Sequence, residues 1–490
     1  MHDLKDLNLL NFIVYLPAVG AVLLAVALKN AKHIRLWAML ITLVTLVLSV
    51  IMYVNFDKST DDFQFVTRFR WFPDFNVEYF IAVDGLSAPL VLLSALLGFA
   101  SVIVSFSVTN RVKEYYVWLL LLETGVLGVF TSMDLLMFFL FWEVELLPMY
   151  LLISIWGTGR KEYSAMKFLI FTIAGSASML IGILILYFST GTLDMIELAG
   201  NQSIQIATFS AQAVFWLLFI AFAIKLPIWP VHTWLPDAHT DAPTAVSVML
   251  AGILLKMGGY GIIRLNVSIF PEVAKQYQPI LIGLAVISII LGALAVFRQR
   301  DLKRLIAYSS VSHMGFVLLG IGSLGTVGLT GAGMQMFAHG TITGMLFMAV
   351  GLIYERAHTR QIPELGGLAS RMPVIAVMLV LAGLASLGLP TMSGFISELT
   401  VFLGTFGQYH VATIIAVSSI ALTAGYILWT VQRVLFGPEN EKLVHLSDTT
   451  AIEMVPLLVM LAMIFLVGLY PAVITDYFKL GIEPLIGRLG

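Results

Sequence analysis

Two lysines stand alone in apolar surroundings, Lys225 in AVFWLLFIAFAIKLPIWP and Lys256 in TAVSVMLAGILLKMGGYG. A lysine deep in hydrocarbon costs about 2.5–3.5 kcal/mol on insertion scales. Lys256 follows Thr244 by twelve residues, roughly 18 Å of helix at about 1.5 Å per residue. That is too deep for its stem to snorkel easily to the near interface. Glu123, Glu143, Glu145 and Glu398 lie in comparable apolar stretches. Groups whose charge is this costly inside a membrane mark sites that pair with one another or move protons and ions.

Glu143 and Glu145 stand two apart in FFLFWEVELLPMY, about 200° around a regular helix, so they cannot both face one cavity. One is expected to face the bundle interior and the other a neighbouring helix or subunit. Glu123, one helix earlier, is a further candidate. A glutamate beside Lys225 would form a pair whose strength changes with protonation. The plain alternative is a static ion pair that holds helices together. His313 in VSSVSHMGFVL and His339 in MQMFAHGTITG sit in successive apolar segments. Histidine titrates near neutrality, so they suit a proton relay; satisfied core residues and axial haem ligands are the alternatives. His232, Asp237, His239 and Asp241 cluster in VHTWLPDAHTDAP. The cluster resembles a metal site only superficially and fits a wetted channel mouth equally well; no metal site is assigned, and His232 and His239 remain candidates for proton transfer.

Those residues need a membrane scaffold, and the composition supplies one. Of 490 residues, 59% are hydrophobic and 11% charged, against about 25% charged in a soluble domain. The net charge of −2 leaves no basic field for nucleic acid. There is no cysteine, which excludes disulfides, all-cysteine iron–sulfur clusters, thiolate metal sites and covalent haem attachment. A redox centre must therefore sit on other chains, and no cofactor is expected here. The first apolar run, Leu9 to Leu28, exceeds a signal-peptide core and lacks a clear cleavage site, so it is expected to stay as a helix.

Runs of about 20 apolar residues predict roughly fourteen spans: 9–28, 36–54, 81–106, 115–131, 133–155, 163–189, 211–231, 244–265, 278–297, 303–323, 331–354, 372–405, 412–435 and 452–470. The longest polar loop, 55–80, is too small to be a catalytic domain. One set of loops, from Lys29 to Lys442, carries sixteen lysines and arginines; the other, including Lys5 and Arg264, carries eight; Lys167, Lys225 and Lys256 complete the 27. The richer side is expected in the cytoplasm, with both termini outside.

Two spans are broken, one by Pro227 and Pro230 just after Lys225, the other by Gly388-Leu389-Pro390-Thr391-Met392-Ser393-Gly394. Proline removes a backbone donor and clashes with the preceding turn. Interrupted helices at membrane depth persist only where protein or water covers the freed groups. Each break falls at the fourth of five helices, in 115–265 and again in 278–435. Five is odd, so consecutive copies must be inverted, a pattern that points to a transport site. The expected organisation is residues 1–110 as three N-terminal helices, 111–267 and 278–436 as the two five-helix units, and 437–490 as a last helix and tail. The fold class is therefore an all-α polytopic membrane protein of about 14 transmembrane helices, with two inverted five-helix repeats, each with a broken helix. Two motifs carry no function: the glycines of 320–325 match a dinucleotide fingerprint but follow a membrane helix rather than a strand, and Gly340 to Gly344 reads as close helix packing.

Four stretches, WEVELLPMYLLISIWG, IKLPIWPVHTWLPDAHTDAPTAVSVMLAGILLKMGGYGIIR, LIAYSSVSHMGFVLLG and HTRQIPELGGLASRMP, resemble the antiporter-like M-type chains of the NADH–quinone oxidoreductase family, respiratory complex I and its photosynthetic-membrane relatives. The resemblance covers about residues 80–435. It implies fourteen helices, inverted repeats and proton transfer along a central polar axis. It makes Glu143 the glutamate that controls the first half, Lys225 its partner, Lys256 the central lysine, His313 and His339 connecting histidines, and Glu398 in SGFISE the exit-side glutamate. L- and N-type chains carry lysine at the position of Glu398, so this glutamate favours the M type. Glu145 occurs in only some relatives; it stays, with Glu123, a further candidate for proton transfer whose role the resemblance leaves open. The resemblance further implies L- and N-type neighbours in the bilayer, protons as substrate, and no NADH, flavin or cluster on this chain. It places the chain in a bacterial inner or photosynthetic membrane. The L-type lateral helix is not expected. Quinone reduction elsewhere would shift charge at one end of the arm, move Lys225 and Glu143 together or apart, and so change the proton affinity of Lys256. The competing functions are a subunit of a cation/proton antiporter or membrane-bound hydrogenase of the same superfamily, a redox protein with haem on His313 and His339, and a structural spacer.

Overall fold

The computed structural model describes residues 8–200, 210–440, 443 and 445–489. Lys5 and Lys442, counted above among the loop cations, lie outside the described residues. The chain opens with α1 (Leu9–Ala27) and α2 (Ala31–Val54), then a hairpin of β1 (Gln64–Phe72) and β2 (Val77–Val83). Next come α3 (Ala88–Val104), α4 (Val112–Thr131), the abutting α5 (Leu135–Val144) and α6 (Leu146–Trp156), α7 (Lys161–Thr190) and the short α8 (Met195–Gly200). α9 (Ala211–Lys225) and α10 (Trp234–Asp241) precede a single rod made of α11 (Thr244–Met249) and α12 (Leu255–Gly261), with π-helical turns at Leu250–Leu254 and Ile262–Val267. The order continues through α13 (Pro271–Val296), α14 (Leu302–Gly322), α15 (Thr326–Ala357), α16 (Leu368–Arg371), α17 (Pro373–Ser386) and α18 (Ser393–Phe406). It ends with α19 (His410–Leu435), α20 (Ala451–Leu469) and α21 (Ala472–Leu489).

Twelve helices among the described residues are long and apolar enough to cross a membrane. The expected count exceeds this by two, and the difference falls at the two breaks. There the chain forms α9 and α10 in one place and α17 and α18 in the other, pieces of only 15, 8, 14 and 14 residues. The rod from Ala245 to Val267 and α15 from Gly328 to Ile353 are enclosed by other helices. Small residues permit this: a Cβ on Gly340 would stand 2.7 Å from the carbonyl oxygen of Gly252, and one on Gly258 2.7 Å from that of Phe222. The glycines of 320–325 serve the same end, since a Cβ on Gly320 would reach within 2.5 Å of the Gly328 carbonyl. The outer helices turn Val26, Phe188, Val411 and Leu403 outward, a surface suited to lipid rather than water.

Two elements escaped the sequence. The apolar run expected to begin a helix at residue 81 is the end of β2, and α3 starts only at Ala88. β1 pairs antiparallel with β2, with a register shift between Gln64 and Thr67. Arg68 ties the hairpin down through Glu78 at 2.6 Å and Asp194 at 2.9 Å. The segment expected only as a tail forms α21, which packs against α3, α13 and α15. Tyr477 stacks on Tyr53 with ring centroids 4.1 Å apart, and a Cβ on Gly85 would collide with the Tyr477 carbonyl oxygen at 2.1 Å.

Arg264, counted above as a loop cation, is buried. Its Nη2 donates to Asp84 Oδ1 at 2.6 Å and its Nε to Tyr260 Oη at 3.2 Å. Removing one member of a buried pair strands the other charge. Asp84→Ala is therefore expected to lower stability by about 3–5 kcal/mol, read as earlier thermal aggregation of the solubilised protein. An unchanged Tm would show that Arg264 does not depend on this carboxylate.

Candidate functional site

Lys225 is the last residue of α9, where the helix dipole favours a cation. The proline-bearing turn that follows is satisfied locally: Ile228 N–H bonds the Ala223 carbonyl, and the Trp234 indole bonds that of Ile224 at 2.9 Å. The carbonyls freed at the end of α9 are thus satisfied by protein, as membrane depth requires. The Lys225 ammonium is buried and donates to Glu145 Oε1. It also lies 5.4 Å and 5.5 Å from the ring centroids of Trp142 and Phe168, close enough for cation–π attraction.

The partner of Lys225 is thus Glu145, whereas Glu143 was the expected one. Glu143 is only half-buried, and its Oε1 has no hydrogen-bond partner. Pro148 has no N–H for the Val144 carbonyl, and a single residue, Glu145, separates α5 from α6. Its backbone stays right-handed helical, at φ −76° and ψ −22°, with its N–H turned to the Glu143 carbonyl, so the two glutamates still face different ways. α4 makes room for Glu145 with Gly125, where a Cβ would stand 2.9 Å from the Glu145 nitrogen. Glu123 is buried on another side of α4, its carboxylate against Gly98 of α3 and Oε1 without a partner.

Lys256 lies between the two π-helical turns, an irregularity often found at functional positions. Its ammonium, fully buried, folds back to the Ala251 carbonyl and contacts His339 Nδ1 at 2.8 Å. The rings of His339 and His313 have centroids 5.7 Å apart. His313 Nδ1 lies 3.2 Å from Glu398 Oε1, and its Nε2 lies 3.2 Å from Ser386 Oγ at the end of α17. The second break thus brings Ser386 and Glu398 to one histidine. Gly388, at φ +80°, sits in that break, and a Cβ there would stand 3.3 Å from Glu398 Oε2. Only glycine adopts this backbone readily. His313, His339, Gln335, Ser386 and Glu398 line a cavity of about 10 Å³, the space of roughly one water.

Lys256, His339, His313 and Glu398 therefore form one buried row carried by α12, α15, α14 and α18. Lys225 and Glu145 are on α9 and the α5–α6 junction; among the described residues no direct hydrogen bond joins them to Lys256. Both ring nitrogens of His313 face polar side chains, Glu398 and Ser386. His232 lies half-buried in the turn before α10, and His239 is buried within α10. The carboxylates near them are otherwise engaged. Asp237 binds Lys167 at 2.7 Å and Arg304 at 3.1 Å, and Asp241 accepts from Ser164 at 2.5 Å. Ser386, Gln335 and Gly125 were not singled out from sequence, since nothing but their distant neighbours marks them.

A charged row inside a bundle with two broken helices defines a multi-pass membrane protein of antiporter-like build. The chain belongs to the NADH:quinone oxidoreductase/Mrp antiporter transmembrane family, whose model matches residues 132–423. It is 38% identical to NADH-quinone oxidoreductase subunit M of Rickettsia felis over 98% of this chain and 99% of that one. It is 42% identical to NAD(P)H-quinone oxidoreductase chain 4 of Gloeobacter violaceus, covering 96% and 91%. Among solved structures it superposes on a chain of respiratory complex I from Thermus thermophilus with bound NADH, at TM-score 0.90, 29% identity and coverage of 98% and 100%.

Proposed function

We propose that this chain is the M-type membrane-arm subunit of a quinone oxidoreductase and translocates protons through its buried row, beside L- and N-type chains in a bacterial inner or photosynthetic membrane. The observation that carries the proposal is the row Lys256–His339–His313–Glu398, with contacts of 2.8 Å and 3.2 Å at its two ends. A proton leaving Lys256 Nζ passes to His339 Nδ1. The Nε2 proton of His339 crosses the small cavity to His313, whose Nδ1 delivers to the Glu398 carboxylate. Lys225 and Glu145 act as the control pair: a stretched pair leaves an uncompensated positive charge that favours deprotonation of Lys256. Residues 111–267 and 278–436 are the two inverted units, and each divided crossing counts as one span, which gives fourteen. Both termini lie outside, with the lysine- and arginine-rich loops in the cytoplasm. Electron transfer belongs to other subunits, and this chain carries no redox centre. A cation/proton antiporter of the same superfamily is the second reading, and overlap in the family's own description keeps it in view.

Glu398 tests the exit. Its amide variant, Glu398→Gln, cannot carry a proton, so acidification per quinone reduced in membrane vesicles should fall to a small fraction at normal assembly. Glu398→Lys should retain part of it, because related chains place lysine there. Unchanged acidification in Glu398→Gln would mean that protons leave by another route.

A further inference from the structure

α1 and α2 form a pair joined by the short turn Leu28–Asn30, and α1 also packs on α4. Four cations gather where the ends of these helices meet: Lys29 in the turn, Lys32 and Arg35 at the start of α2, and Lys113 at the start of α4. Two contacts fix their places. Lys113 Nζ donates to the Ala25 carbonyl at 2.6 Å, and Arg35 Nη2 donates to the Val108 carbonyl at 2.8 Å. Neither acceptor carries charge. Glu114, beside Lys113, is taken by Arg111. Among the described residues no carboxylate lies within ion-pair distance of any of the four. Arg35 is further under-satisfied, since its Nε is buried without an acceptor. A guanidinium offers five donors and an ammonium three, so most donors in this cluster have no protein partner.

Cations at the ends of membrane helices by themselves mark only orientation. These four stand above an apolar surface of matching length. α2 turns Leu36, Leu40 and Leu43 outward, and α1 turns Leu23 and Val26 outward. From Lys32 the α2 residues follow at steps of four, four and three, which keeps them on one stripe of the helix. Leu43 stands eleven residues past Lys32, about 16 Å of helix, close to the roughly 15 Å of hydrocarbon in one leaflet. A cationic head and an apolar stripe one leaflet deep are the complement of a phospholipid with a negative headgroup.

We propose that Lys29, Lys32, Arg35 and Lys113 hold the phosphate of an anionic phospholipid, in the leaflet on the lysine- and arginine-rich side, with its acyl chains along the outward stripes of α1 and α2. The phosphate oxygens accept charge-assisted hydrogen bonds from the free ammonium and guanidinium donors. A soluble anion would leave the leucines unused. A zwitterionic lipid would bring its own ammonium against four like charges. The binding requires only that the chain spans a bilayer, so it stands apart from the proton row.

The test uses the assembled complex in phosphatidylcholine vesicles that contain a minor share of phosphatidylglycerol with a photoactivatable diazirine in one acyl chain. After illumination, label mapped by peptide mass spectrometry should concentrate at Leu23, Val26, Leu36 and Leu40. Unlabelled phosphatidylglycerol should compete for these positions, and inorganic phosphate should not. The double variant Lys29→Gln with Lys32→Gln removes two exposed side chains that have no protein partner among the described residues, so assembly should persist. Its preference for phosphatidylglycerol over phosphatidylcholine should fall roughly 10- to 30-fold, because each cation near an anionic lipid surface is worth about fivefold. An unchanged preference would overturn the proposal and leave the lysines a role in orientation alone. Displacement by inorganic phosphate would overturn it in favour of a soluble-anion site. Unlabelled α1 and α2 would overturn it in favour of a neighbouring chain seated on this face.

Discussion

Glu145→Ala should abolish proton pumping and sharply reduce the amount of assembled protein. Lys225 is buried beside this carboxylate, and removing one partner of such a pair typically costs about 3–5 kcal/mol, because the remaining charge has neither water nor counter-ion. Replacing both partners by apolar groups of similar size is often neutral. Glu145→Leu combined with Lys225→Met should therefore restore assembly on native gels without restoring pumping. That combination separates a pair that works from a pair that merely holds helices together. Glu143→Gln should do less than Glu145→Gln, because Glu143 is half-buried and the hydrogen bond and ion pair of Lys225 go to Glu145. Severe loss in Glu143→Gln with normal pumping in Glu145→Gln would reverse the assignment.

The choice between Glu143 and Glu145 marks the boundary of what the sequence discloses. Isolated charges in apolar runs mark Lys225, Lys256 and Glu398 as costly and hence purposeful, and prolines mark both breaks. All of these are local signals. Helix spacing places Glu143 and Glu145 on opposite faces, and the structure has them so; which of the two turns inward rested on the family resemblance, and it is Glu145. The space that Gly125 leaves for Glu145 on α4 was not visible.

Lys303 and Arg264 were hidden for a different reason. Each falls at the edge of an apolar span, where a cation ordinarily reaches water, and so each was counted as a loop charge. Burial of Arg264 depends on Asp84, 180 positions away. Burial of Lys303 depends on the Ala242 carbonyl, 61 positions away. The hairpin was hidden because its second strand, VEYFIAV, ends in three apolar residues, Ile81 to Val83, that run on toward the apolar helix. α21 was masked because its docking rests on backbone approaches at Gly85 and Gly481.

Lys256 carries the central claim. Proton transfer through the row requires this amine to lose and regain a proton against His339 at 2.8 Å. Arginine preserves the charge and much of the reach but is not deprotonated in proteins, and a lysine kept only for structure would often accept it. The decisive measurement is the number of protons translocated per quinone reduced in sealed vesicles carrying Lys256→Arg, with assembly checked on native gels and quinone reduction followed in the same sample. The account predicts an assembled complex in which translocation through this subunit is lost and the ratio drops accordingly. An assembled Lys256→Arg complex that pumps at the parental ratio would contradict it.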